Sequence, residues 1–131
     1  EWRWFQHDRR HQLTIMARVK LPGEVGIGAR WQIQSGSPST PVNKSIYYAD
    51  VDFYAPVYGS LYSERSKPFH QLDLRLDKLI RRNTHTAEVF FDITNVYAAT
   101  TGDYVFYSFD YDEELTFQTF PSINLGVRVE F

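Results

Sequence analysis

The chain has 131 residues, among them ten Phe, nine Tyr and three Trp, so aromatic side chains make up 17% of it. A formal charge of -2 supplies no basic field for nucleic acid, and the absence of cysteine excludes disulfide scaffolds, thiolate zinc sites and thiol catalysis. No run of about twenty apolar residues exists to form a membrane-spanning helix, and the length suits one domain. The first residue is Glu1, no leader pattern is present, and the alternation at the other end runs out to Phe131, so a mature or excised piece of a larger chain is expected.

Period-two hydrophobicity, the mark of a strand with one apolar and one polar face, recurs along the chain. In "HQLTIMARVKL" Leu13, Ile15, Ala17, Val19 and Leu21 oppose Gln12, Thr14, Arg18 and Lys20, with Met16 as the exception. After "PGE", a tight-turn signal at Pro22 and Gly23, Val25, Ile27, Ala29, Trp31 and Ile33 oppose Gly26, Gly28, Arg30, Gln32 and Gln34. More than thirty residues then pass, from Ser35 to Pro68, before Leu72, Leu74 and Leu76 oppose Gln71, Asp73, Arg75 and Asp77. The short "RRNTHT" leads to Ala87, Val89, Phe91 and Ile93 opposing Glu88, Asp92 and Thr94, with Phe90 as the exception. A second long excursion, from Ala98 to Pro121, precedes Ile123, Leu125, Val127, Val129 and Phe131, which oppose Ser122, Asn124, Gly126, Arg128 and Glu130.

Five strands of about ten residues are thus expected, with short connections at one end of the sheet and long ones at the other. Barrels of the bacterial outer membrane have this asymmetry and this strand length. Parity agrees: if the short turns are periplasmic, the fifth strand descends from a long loop and finishes on the periplasmic side. Trp31 and Phe131 fall near strand ends, where interfacial aromatics are expected. Alternation alone does not distinguish a lipid-facing apolar face from one packed in a soluble sandwich or a small ligand-binding barrel. The strand length, the sorting of the loops and the strand at the end of the chain favour lipid.

These segments resemble, in order, the C-terminal barrel region of TonB-dependent outer-membrane receptors. The resemblance rests on "DRRH" (Asp8 to His11) before a strand, "SGSPSTP" (Ser35 to Pro41) opening a long loop, "KPFHQLDLRLDK" (Lys67 to Lys78) and "FFDITNVY" (Phe90 to Tyr97). It ends on a terminus similar to the signal read by the barrel-assembly machinery: Asn124, Gly126, Val129 and Phe131. Departures are Ser39 and Val129, where the family often has an aromatic, and Ala98, Ala99 and Thr100, where it has more Asn. The resemblance implies that residues 1–131 are part of an all-β, antiparallel transmembrane barrel of about 22 strands, with two long external loops and without the plug domain or the remaining strands. About five strands cannot close a barrel, for which about eight is the lower bound. It also implies a receptor in the outer membrane of a Gram-negative bacterium, taking up a scarce metal chelate, vitamin or oligosaccharide with energy delivered through TonB to the plug. Its partners would be the rest of the barrel, the plug, the assembly machinery and lipid. A passive porin or adhesin-type barrel fragment and a soluble β ligand-binding module are the alternatives.

Neither catalysis nor a cofactor is expected. Arg18, Arg30, Asp73, Arg75, Asp77, Glu88, Asp92, Arg128 and Glu130 share the polar face, where mixed charges on neighbouring strands read as a lumenal ladder of cross-strand pairs rather than as acid and base. His7 and His11 have a ligand spacing for a helix, but in extended chain they lie about 13 Å apart, and no metal site is expected. The acids Asp110, Asp112, Glu113 and Glu114 read as a solvated loop. Candidate ligand contacts are the loop aromatics Tyr47, Tyr48, Phe53, Tyr54, Tyr58, Tyr62, Tyr104, Tyr107 and Tyr111, whose rigid, amphipathic rings suit flat or sugar ligands and equally suit packing the loops together.

Overall fold

A computed structural model describes residues 5–100 and 105–131. Its described residues contain eleven strands and no helix: β1 (Gln12–Leu21), β2 (Val25–Gln34), β3 (Pro38–Ser39), β4 (Val42–Tyr48), β5 (Phe53–Tyr58), β6 (Glu64–Arg65), β7 (Phe69–Arg81), β8 (Thr86–Thr94), β9 (Phe106–Tyr107), β10 (Glu114–Leu115) and β11 (Ser122–Glu130). The chain divides into two units, one comprising Leu13–Ile33, His70–Ala99 and Thr119–Phe131, the other the described parts of the remainder.

The first unit is built on a five-stranded sheet in the order β1-β2-β7-β8-β11, in which neighbours in the sheet are successive long strands of the chain. These are the five periodic segments of the sequence. β1 turns into β2 at Pro22–Glu24, where Gly23 and Glu24 both take left-handed φ, 83° and 59°, as a short hairpin loop requires. The β7–β8 turn closes through Arg82 N–H donating to the His85 carbonyl.

Two differences from the expected strands have local causes. β7 is longer than its alternation, reaching Arg81 because Ile80 and Arg81 continue the antiparallel ladder opposite Ala87 and Thr86. β8 stops at Thr94 rather than Tyr97, because Asn95 takes φ 57° and Ala98 φ 51°, turning the chain out of the sheet.

Register decides which side chains share a face. Ile123, Leu125, Val127 and Val129 stand opposite Ile93, Phe91, Val89 and Ala87, which stand opposite Leu74, Leu76, Lys78 and Ile80. The other face carries Arg75 opposite Asp92, Asp77 opposite Phe90, Arg128 opposite Glu88 and Glu130 opposite Thr86.

Among the described residues no second layer covers the apolar face. Leu125 is 75% and Val127 64% exposed, and Ala99 and Pro38, neither of them on this sheet, are the apolar side chains buried among the described residues. Leu13, Ile15, Val19, Leu74, Leu76, Ile80, Ile123 and Val129 are exposed as well. Their combined exposed surface, on the order of 1,000 Å², exceeds the few hundred Å² of the largest patch on an ordinary soluble monomer. At about 25 cal/mol per Å², leaving it in water forgoes roughly 25 kcal/mol.

The second unit is held by three two-stranded ribbons, β3 with β6, β4 with β5, and β9 with β10. The sequence marked both stretches only as loops. Their pairs are two to seven residues long, and several of their positions carry aromatics on both faces, so no period-two signal announces them.

Candidate functional site

Nearly all the charges expected on the polar face are tied to one another. Arg30 on β2 reaches Asp73 on β7, with Nε at 2.9 Å and Nη2 at 2.5 Å. Arg75 donates to Asp92 at 3.1 Å and to Glu88 at 3.2 Å, and Arg128 approaches Glu88 from β11 at 3.9 Å. Between its two acids the Arg75 guanidinium lies over the Phe90 ring, 4.4 Å from its centroid. Phe90, the one large apolar residue that breaks the alternation of β8, is accommodated because Gly126 stands opposite it. A Cβ at Gly126 would fall 2.2 Å from the tip of the ring. Gly126 therefore has a packing role in addition to the assembly-signal role that the resemblance implies.

Asp77 is 5% exposed and takes two hydrogen bonds, 2.9 and 2.8 Å, from Nη2 of Arg18. Arg18 lies on β1 and Asp77 on β7, with β2 between them, a separation of about 10 Å. The contact is possible because the intervening polar-face positions on β2 are Gly26 and Gly28. At Gly26 a Cβ would lie 2.5 Å from an Asp77 carboxylate oxygen. Small residues on the middle strand thus open a channel through which a long cation meets a buried anion.

Asp73 also accepts Asn95 N–H at 3.0 Å and Gln71 Nε2 at 2.6 Å. Asn95 in turn donates through Nδ2 to the Ala99 carbonyl and to Thr119 Oγ1, and accepts Ala99 N–H. The "ITNVYAA" stretch is therefore a staple between the exit of β8 and the approach to β11. On the apolar face, Lys78 carries its ammonium along the sheet to the Gly23 carbonyl in the β1–β2 turn, which keeps the charge at the turn end while its stem stays with the apolar residues.

In the second unit the anchor is Arg65, which donates to the Asp8 carbonyl (2.8 Å), the Gly36 carbonyl (2.9 Å) and the Asp8 carboxylate (2.7 Å). The Arg65 guanidinium, and more weakly Arg10, hold the Asp8 carboxyl below its ordinary value of 3.8 against the opposing effect of its partial desolvation. Gly36 of the "SGSPSTP" stretch lies so close to Ser66 that a Cβ there would overlap its carbonyl, and Ser66 N–H donates to the Ser37 carbonyl.

The loop aromatics gather in two places. Tyr47 and Tyr54 are cross-strand partners with centroids 4.8 Å apart, and Phe109 meets Tyr54 edge-on at 5.5 Å. The Tyr47 hydroxyl donates to Asp52, which raises the phenol above its ordinary value. Tyr48 and Phe53 face each other at the exposed end of this hairpin. Tyr58, Tyr62, Tyr107 and Tyr111 line one cleft of about 380 Å³ together with Gln6, His7, Arg9, Ser37, Ser39 and Thr40. The Tyr107 ring is fixed there, its hydroxyl accepting Val42 N–H at 3.3 Å. Tyr104 lies outside the described residues.

Sequence reasoning did not single out Gln6, and it marked Arg9 and the 37–40 stretch only within the "DRRH" and "SGSPSTP" segments, not as lining of a cleft, since nothing in their types shows that until Arg65 brings residue 8 to Gly36. The acids of the β9–β10 turn do structural work. Asp110 accepts the Ser108 hydroxyl and Asp112 N–H, which lower its pKa in that order of importance, and Glu113 N–H donates to Ser108 Oγ. Among the described residues no three His, Asp or Glu converge as a metal site would require.

Comparison of the chain with family models, with curated proteins and with solved structures finds no match.

Proposed function

We propose that the chain is the C-terminal wall segment of an outer-membrane receptor barrel that takes up a scarce ligand by TonB-energised transport. One observation carries this reading: a sheet whose apolar face has, among the described residues, no protein over it and whose opposite face holds its charges in pairs. Water disfavours the first face, and hydrocarbon disfavours the second. A wall between lipid and a wet lumen suits both. β1 and β11 are the edges of the sheet, and on this reading both pair with further strands of the barrel, since an unpaired edge in lipid costs several kcal/mol per group. The short-turn end then faces the periplasm, the two long connections are the external loops, and the β11 segment with Asn124, Gly126, Val129 and Phe131 is what the assembly machinery engages. The chain contributes no catalytic group; the plug and TonB act from outside it.

The test is accessibility along β11 in the complete receptor, in native outer-membrane vesicles. Nitroxides placed singly at Leu125, Val127 and Val129 are expected to collide with oxygen dissolved in lipid, and those at Asn124 and Arg128 with a water-soluble nickel chelate. A uniform preference for the nickel chelate, or recovery of the protein in the soluble fraction, refutes the barrel.

A further inference from the structure

The cleft at Tyr58, Tyr62, Tyr107 and Tyr111 has a composition that selects among ligand classes. Its wall is four phenol rings with hydroxyl and amide groups between them, and among the described lining residues no Asp, Glu or Lys is present. His7 and Arg9 are its only other ionisable groups, and the Arg9 guanidinium donates to the Gln34 side chain. A multiply anionic chelate entering such a cleft would lose water without several cations to replace it. An uncharged polyhydroxylated ring would lay its C–H face on a phenol and exchange water for the neutral donors and acceptors at the edges.

The volume, about 380 Å³, is in the range of small-ligand sites. A second cleft of about 390 Å³, walled by Phe53, Tyr54, Phe106 and Phe109, shares Val105, Tyr107 and Tyr111 with the first. A ligand of several linked rings therefore finds aromatic surface on either side of the Tyr107–Tyr111 pair, whose centroids are 6.0 Å apart.

We infer that this pair of clefts binds an uncharged oligosaccharide, which on the receptor reading above is the transported ligand. Tyr58, 62% exposed at the end of β5, is the most exposed of the four tyrosines of the first cleft. The ring faces carry the affinity, and the Gln6, Ser37 and Thr40 groups set which hydroxyl pattern is accepted.

The complete receptor, purified in detergent, is titrated calorimetrically with maltohexaose, cellohexaose, xylohexaose, mannohexaose and chitohexaose, and in parallel with a ferric tris-catecholate and cyanocobalamin. At least one hexasaccharide is expected to bind with Kd below about 1 mM. Tyr58→Ala is expected to weaken it by about tenfold or more, and Tyr58→Phe, which keeps the ring, by less than about threefold. Heat-modifiable migration of both variants confirms that the barrel is intact. Binding of none of the hexasaccharides, saccharide binding indifferent to Tyr58→Ala, or chelate or corrinoid binding that is lost in Tyr58→Ala each overturns the ligand class. The β11 accessibility test is independent of ligand, so a receptor that passes it and fails here loses only the saccharide assignment.

Discussion

The Phe90–Gly126 contact makes a prediction in which the sign of an effect changes with background. In the native sequence Gly126→Ala places a methyl group 2.2 Å from the Phe90 ring tip, far inside van der Waals contact. The ring cannot simply tilt away, because the Arg75 guanidinium lies 4.4 Å over its face and is held by Asp92 and Glu88. Overpacking of this kind costs about 1–3 kcal/mol, and displacing Arg75 from the ring adds about 0.5–1 kcal/mol. The total is roughly 1.5–4 kcal/mol. In a Phe90→Ala background the obstruction is gone. There the same substitution replaces a strand-interior glycine by alanine, which stabilises by about 0.5–1 kcal/mol. The double-mutant cycle therefore has a coupling energy of about 2–5 kcal/mol. Urea unfolding of the complete receptor in detergent, followed by heat-modifiable migration, measures all four corners. A Gly126→Ala effect of the same sign and size in both backgrounds would refute the packing account.

The channel over β2 gives a second prediction. Arg18→Met removes from the Asp77 carboxylate, 5% exposed, the guanidinium that bonds both its oxygens and is expected to destabilise by about 2–3 kcal/mol in the same urea assay, below the about 3–5 kcal/mol for a broken buried pair, because Arg18 is itself half exposed and Arg75 stays 3.9 Å from the carboxylate. Arg18→Met with Asp77→Asn removes the stranded charge and is expected to recover at least half of that loss. A third prediction concerns pH in the loop unit. The folded Asp8 carboxyl is held below its ordinary 3.8, so its tether to Arg65 is fully present above that value and is lost as pH falls through the lower, folded value. A nitroxide at Gln6 is expected to stay immobilised from neutral pH down to about pH 4 and to gain mobility only below it. Asp8→Asn is expected to leave it mobile throughout, and equal mobility in the two proteins at pH 7 would rule out the tether.

The sheet was legible because its signal is redundant. Each long strand carries four or five apolar residues at alternate positions, and a slip by one residue would move all of them to the wrong face. The register that pairs Leu74 with Ile93 and Ile93 with Ile123 is the one that keeps them together. Two exceptions in the pattern proved informative rather than random: Phe90 packs on Gly126 under Arg75, and Lys78 sits on the apolar face but sends its charge to the turn. The charge ladder was legible as a set, not as pairs. That Arg18 skips a strand to reach Asp77 depends on two glycines whose significance appears only once the strand order is known.

The loops were legible in composition alone. Nothing about Asp8, Gly36 or Arg65 in the sequence says that the three meet, and the cleft exists only because they do. Of the nine aromatic ligand-contact candidates, four line that cleft and two others pair with each other. Which would do which was decided by hairpin register: Tyr47 opposite Tyr54, Tyr58 opposite Val42.

The dimensions of the apolar face bear on the membrane reading independently of its composition. On β7 the leucines of this face, Leu72, Leu74 and Leu76, lie between His70, hydrogen-bonded to the Tyr97 hydroxyl at 2.9 Å, and Lys78, which reaches to Gly23, with Ile80 beyond it. Eight residues of strand span about 26 Å, which at a tilt of about 40° projects to about 20 Å on the membrane normal, against an apolar band of about 25 Å in outer-membrane barrels. On β11 the same count separates Ile123 from Phe131, whose ring meets His85 at 6.3 Å. On β7 a hydrogen-bonding ring and an amine thus stand at the two ends of the leucine run, whereas β11 carries the apolar Ile123 and Phe131 at the same separation. On the membrane reading, His70 and Lys78 are the β7 groups that would reach the headgroup levels, since a polar tip at either end of an apolar run is what a bilayer-crossing strand needs there.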